Sequence, residues 1–306
     1  MIKRYYATKD NTITNAFQEN LTTRGTGSNM GQSDVLEIFS IYGQASATSS
    51  ELARALIQFD ISQISSDRTS GLIPRSGSVT FHLKMFNAEH AQSVPKDYTL
   101  VVAGVSGSWQ EGHGLDMESY SDETKDGDGS NWINASGDEA AATGTLILQG
   151  GANEAAMDAQ TFTLTDTAGN SQVFTFDFDS DVNTGGTIGF SSATTTTASI
   201  QAIKRSINSI SALGITAGTP VAAGDNDSQM TLTLTQTAPG RAGNTDIDVT
   251  GVSHLTSTNF TNGDGKWVSQ GGDFYTDVSS SFEQTFSTGL EDLDIDVTPL
   301  VEQWIN

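Results

Sequence analysis

Trp109, Glu111, His113 and Asp116 crowd into one short stretch of this chain. Two carboxylates beside an aromatic ring are the raw material of a glycosidase. One acid protonates the leaving oxygen, the other attacks or activates water, and the ring carries the sugar. The same residues fit a structural role, with Trp109 in a core and Glu111 as a hydrogen-bonding acid. Sequence spacing does not set two carboxylates across a cleft, so no catalytic residue is expected here. Trp109 and Glu111, with Trp132 and Trp267, stand as candidate glycan contacts, because the apolar faces of sugars stack on exposed aromatic rings.

A second constellation is acidic. Asp122, Asp126 and Asp128 lie in a glycine-bearing stretch, and Asp264 lies in Asn262-Gly263-Asp264-Gly265. Each stretch precedes a tryptophan, Trp132 or Trp267. Oxygen ligands on loops suit Ca²⁺, which makes these four aspartates candidate ligands for a structural Ca²⁺. The spacing is not that of an EF-hand, whose bidentate acid at the end of the loop is missing, and a solvated acidic loop is the competing reading. No other cofactor is expected. His82, His90, His113 and His254 share no metal-like spacing, and Asp225-Asn226-Asp227 reads as a turn. There is no Gly-x-Ser-x-Gly elbow, and no phosphate-cradling glycine loop opens a helix.

Charge narrows the partners. The chain carries 37 acidic and 14 basic residues, a formal charge of −23. Binding to nucleic acid needs Lys and Arg to neutralise phosphates, so no nucleic-acid partner is expected, and an anionic membrane is an equally poor one. Such acidity suits a salty medium that screens self-repulsion. There is no cysteine, so neither disulfides nor thiolate chemistry arise. The start, Met1-Ile2-Lys3-Arg4-Tyr5-Tyr6, lacks the apolar core of a signal peptide. No apolar run approaches the ~18 residues that span a bilayer. The expectation is synthesis in a cytoplasm, with virion assembly and lysis as one route out.

Apolar residues alternate with polar ones along Ala55–Ile61 and Val79–Met85, the signature of half-buried strands. Leu36–Tyr42 is a further strand candidate. Thr99–Ala103 reads as a strand buried on both faces. The middle of the chain is rich in Thr and Gly and differs in pattern. Gln160–Asp166 and Gln172–Asp179 predict a hairpin turning at Ala168-Gly169-Asn170, with Phe174, Phe176 and Phe178 on one face. A helix is expected over Thr197–Ala212, with Ile200, Ile203, Ile207, Ile210 and Leu213 as its apolar stripe and Gly214 as its stop. Met230–Thr235 and Thr245–Val249 supply two more strands. At the end, Leu293–Val297 is a strand. Thr298 and Pro299 then read as cap and first position of a short helix whose buried face is Leu300, Val301 and Trp304.

The expected fold is therefore mainly β. A jelly-roll-like β-sandwich spans 1–136 plus 264–306, and a small α+β domain of ββαββ type, 137–263, is inserted into one of its loops. Insertions succeed at exposed loop tips.

Several of these residues carry a resemblance. Asp10, Asn29-Met30-Gly31, Arg54–Ile61, Trp109-Gln110-Glu111-Gly112, Asn131-Trp132, Asp296-Val297-Thr298 and Val301-Glu302-Gln303-Trp304 resemble the DNRLRE-type β-sandwich of surface proteins. Gln58 stands where that family usually has arginine. The segments Arg4–Phe17, Arg24–Gly31 and Glu111–Met117 look like virion structural proteins of marine tailed phages, those of cyanobacteria especially. Leu234–Asn244 is similar to small domains scattered through phage structural proteins.

The resemblance implies a non-enzymatic virion component of the head, neck, collar or tail. Its partners would be other virion proteins and copies of itself. A glycan-binding surface module, with a host-surface glycan as partner, is the alternative. The family continues with further strands after the last helix. That implies either a self-association contact at this edge or more chain beyond Asn306, with Trp304 buried in either case.

Overall fold

The computed structural model describes residues 2–75, 77–88, 94–118, 120, 129–137, 139–150, 154–191, 195–222, 229–277 and 281–305. The protein is mainly β. In chain order the elements are β1 (Ala7–Thr14), β2 (Phe39–Tyr42), β3 (Ser50–Phe59), α1 (Ile61–Thr69), β4 (His82–Met85) and β5 (Tyr98–Ala103). There follow β6 (Thr143–Gln149), β7 (Thr161–Thr165), β8 (Ser171–Asp177), β9 (Thr187–Gly189), α2 (Thr196–Asn208), β10 (Ile215–Ala217), β11 (Val221–Ala222) and β12 (Gln229–Gln236). The last are β13 (Leu255–Thr261), β14 (Ser281–Phe286), β15 (Leu293–Asp296) and α3 (Thr298–Ile305). The chain divides into two compact units. One comprises Met1–Ala135 and Ser269–Asn306, the other Ser136–Val268.

In the first unit β3 lies between β1 and β2, antiparallel to both. Strands from distant parts of the chain pair as well: β5 with β14, and β4 with β15. Leu293, Ile295 and Val297 enter one core with Ile64, Ile73, Phe286 and Val301, and half-buried Leu83 and Leu100 pack against it. Alternation along Val79–Met85 is as the sequence indicates, but the strand proper begins at His82.

Four local readings change. Asp60 ends β3 and caps α1, its side chain accepting from Gln63 N at 3.2 Å, so Ile61 opens a helix rather than closing a strand. β5 is half-buried, with Val101 facing out. Thr298 is already helical: its hydroxyl accepts Phe81 N at 2.7 Å instead of capping. In α3, Leu300 and Val301 are buried but Trp304 is exposed, which corrects the expected three-residue buried face.

The second unit has two sheets. One runs β10-β12-β6-β13, with β11 also on β12; the other runs β7-β8-β9. Helix α2 packs against β6, β9, β10 and β12. Its apolar stripe, Ile200, Ile203 and Ile207, is fully buried among Leu146, Phe162, Phe174, Phe176 and Leu232. Thr195 caps the helix by accepting Ala198 N at 3.1 Å. The helix stops at Asn208, a full turn before the expected end. The carboxamide of Asn208 there bonds both the N–H and the carbonyl of Ala217, at 2.8 and 2.9 Å. Thr245–Val249 is not a strand: within it Asp248 makes an isolated bridge to Thr163. Phe178 lies past the end of β8 and is exposed, unlike Phe174 and Phe176.

The two ends of the second unit lie side by side. Ser136 N donates to Gly265 O at 3.2 Å, and Ala140 bridges Asp264 through paired backbone hydrogen bonds of 3.0 Å. Within the first unit the flanking chain is likewise stitched, Gly271 N donating to Trp132 O at 2.7 Å.

Candidate functional site

The residues singled out for chemistry around Trp109 meet at a buried amide, that of Asn29. Its Nδ2 donates to Glu111 O and Ser130 O, both at 2.8 Å. Its Oδ1 accepts Gly114 N at 2.7 Å and Gly31 N at 3.1 Å. Its own backbone pairs with Asp116: Asn29 N donates to Asp116 Oδ2 at 3.2 Å, and Asp116 N donates to Asn29 O at 3.1 Å. A second buried amide, Asn11 on β1, donates to Ser130 O at 2.8 Å and accepts Met30 N at 2.9 Å. Strand β1 and three loops are thus tied by two side chains that satisfy nearly every hydrogen-bonding group they own.

The glycines of this stretch follow from the same knot. A methyl group at Gly31 would overlap the Glu111 carbonyl, and one at Gly112 or Gly129 would overlap the Asn29 amide. Gly112 and Gly129 also hold φ of +81° and +95°, open chiefly to glycine.

Each candidate residue is therefore committed to the scaffold. Glu111 Oε1 accepts Asp10 N at 2.8 Å. Burial, with the neighbouring Glu111 charge second, raises the Asp10 carboxyl above its ordinary range. Asp116 is buried against Asn29. Trp109 is 5 % exposed, Trp132 6 % and Trp267 5 %. Lys9 Nζ donates to Trp109 O at 3.3 Å and lies 6.0 Å from its ring. The Arg54 guanidinium sits 5.0 Å from the Trp132 ring and 4.9 Å from that of Phe274, and burial lowers its pKa. Arg241 lies 5.4 Å from the Trp267 ring. An indole closed off to this degree presents no face to a sugar, which corrects the stacking role expected of Trp109, Trp132 and Trp267.

Asp264 accepts Arg241 Nε at 2.9 Å, an ion pair within the second unit. Asp122, Asp126 and Asp128 lie outside the described residues, as do His90 and Asp225–Asp227. Among the described residues no group of three or more His, Cys, Asp or Glu side chains is placed to hold a metal ion.

Two polar hubs escaped the sequence. Asp166, in the β7–β8 turn, accepts Ala168 N (2.9 Å), Asn170 N (2.8 Å), Asn170 Nδ2 (2.9 Å) and Gly214 N (2.9 Å). Burial pushes its pKa up, but the Gly214 N–H and the Asn170 and Ala168 bonds outweigh it and hold the carboxyl below its usual range. In the first unit Arg68 of α1 grips Glu302 of α3 with two bonds of 2.6 Å. Beside it Asp67 accepts from Lys3 and, at 2.7 Å, from the Tyr5 hydroxyl, whose pKa is pushed up to about 12 by burial and then by Asp67. A spaced Asn-x-Gly with distant glycines is the one signal that could have exposed the Asn29 knot. The Arg68–Glu302 clasp spans too much sequence to leave a local one.

Compared with protein-family models, curated proteins and solved structures, the chain matches none of them. No helix among the described residues is long and apolar enough to cross a membrane.

Proposed function

We propose that this chain is a non-enzymatic structural protein of a tailed-phage virion. In this reading the first unit is a jelly-roll-like β-sandwich, and the second is a small α+β domain inserted into one of its loops and displayed by it. The observation that supports the inserted arrangement is the stitching of the second unit's ends, Ser136 to Gly265 and Ala140 to Asp264. A unit whose termini are hydrogen-bonded neighbours can be spliced into a single loop without disturbing the host fold.

The fate of the acids supports a structural role. Glu111 and Asp116, the pair a glycosidase would need, are used to fix loops. A scaffold bearing −23 charges stays soluble and resists unspecific aggregation before assembly. Resemblance to phage virion proteins supplies the particle as its setting, and fold alone does not assign it.

A density map of the particle tests this. The chain is expected at symmetry-related positions of head, neck, collar or tail, with the second unit reached by two chain crossings. A map fully explained by other proteins would refute it.

A further inference from the structure

Of the four tryptophans, Trp304 is the one left open, at 42 % exposure, and Tyr275 beside it is 44 % exposed. The two rings converge on Gly104. A methyl group at Gly104 would lie 3.2 Å from Trp304 Cζ2, 3.2 Å from Tyr275 Cδ2 and 3.0 Å from Leu300 Cδ1. Glycine there lets both rings settle against the backbone, with buried Leu300 as floor. The platform is rigidly backed. Tyr275 N donates to Gly104 O at 2.9 Å, Ser106 N donates to Asp273 O at 2.9 Å, and Val105 bridges Phe274. Trp304 itself is carried on α3, which the Arg68–Glu302 clasp holds to α1.

We propose that Trp304 and Tyr275 form a stacking platform for a neutral hexose unit of a surface glycan. Size argues for a sugar. Large aromatic side chains cover 150–250 Å² each, so two of them about two-fifths open offer roughly 150–200 Å². A specific protein interface needs about 800 Å² on each partner. The chain's charge of −23 repels sulfated or uronic polymers and leaves neutral glycans as the fitting class. Pyranose C–H faces lie on the rings, and exposed Gln303 and Thr276, next to the two aromatics in the chain, offer amide and hydroxyl groups to the sugar hydroxyls. This inference stands apart from the particle assignment, since the platform would bind sugar whether or not the chain is found in virions.

The test is tryptophan emission of the full chain, titrated separately with linear hexaoses of glucose, galactose and mannose to about 10 mM. At least one hexaose should give a saturable shift and shield the acrylamide-accessible emission, which belongs to Trp304. Trp304→Ala should abolish the accessible emission, and calorimetry should show affinity down at least about tenfold. Tyr275→Ala should weaken binding comparably while keeping Trp304 as reporter, so one variant that fails to fold does not end the test. Silence with all three hexaoses overturns the proposal, as does binding unchanged in both variants or confined to a sulfated polysaccharide. A dimer in sedimentation that Trp304→Ala dissolves would assign the face to a second copy and overturn it too.

Discussion

The carboxamide of Asn29 donates to the main-chain carbonyl of Glu111 at 2.8 Å, across 82 residues of sequence. That bond explains why an apparent active-site acid sits where it does: Glu111 is positioned by, and helps to position, a structural knot. Removing the amide strands buried partners, including Gly114 N and Ser130 O. Asn29→Ala should destabilise the first unit by about 3–5 kcal/mol, since several buried groups lose their partners together. Hydrogen exchange by mass spectrometry should show the loss of protection in 1–135 and 269–306, with the β6–β12 core little changed. Uniform loss across both units would contradict separate cores.

Asp166 makes the converse case. Asp166→Ala removes a charged acceptor from four donors and should cost the second unit about 2–4 kcal/mol. The pH dependence has a defined sign. The folded carboxyl is held below its unfolded value, so its contribution is complete above the unfolded pKa, near 3.9, and is lost as pH falls through the lower folded value. The gap between wild type and Asp166→Ala should therefore be constant at neutral pH and close in acid. Denaturant midpoints of the second unit between pH 7 and pH 3 check this, and a gap that widens in acid would refute it.

Asp10 has the opposite sign. Burial and the neighbouring Glu111 raise its folded pKa, so the ionised form is a cost above that value and no cost below the unfolded pKa. Asp10→Asn should stabilise the first unit at pH 7 by a few tenths to about 1 kcal/mol, with the advantage gone in acid. Thermal melts at the two pH values read it directly.

How much of this was legible follows from the range of each interaction. The α2 stripe and the β7–β8 hairpin depend on near neighbours, so their periodicity showed in the sequence. The end of α2 did not, because Asn208 stops it by bonding Ala217. β6 was missed as the centre of its sheet because its partners β12 and β13 arrive from far along the chain. Tryptophan proved a poor guide to surface: Trp109, Trp132 and Trp267 are covered, two of them by arginine, while Trp304, read as core, stays open. Residue type alone does not say which side of a helix finds a neighbour.

Arg68 and Glu302 offer an energetic check on the union of early and late chain. Both side chains are mostly buried, at 12 % and 13 % exposure, and the contact is bidentate. A double-mutant cycle with Arg68→Ala and Glu302→Ala should return a coupling of about 1–3 kcal/mol. A coupling near zero would mean that α3 is held by its apolar packing and the Thr298–Phe81 bond rather than by the ion pair.

A virion role makes the chain a built-in part of a particle, as proposed above. Quantitative mass spectrometry of gradient-purified virions addresses it most directly. Peptides from both units are expected in equal amount, at several copies per particle, and should remain after high-salt washing. Peptides found only in the soluble lysate, and none in the washed particles, would contradict it.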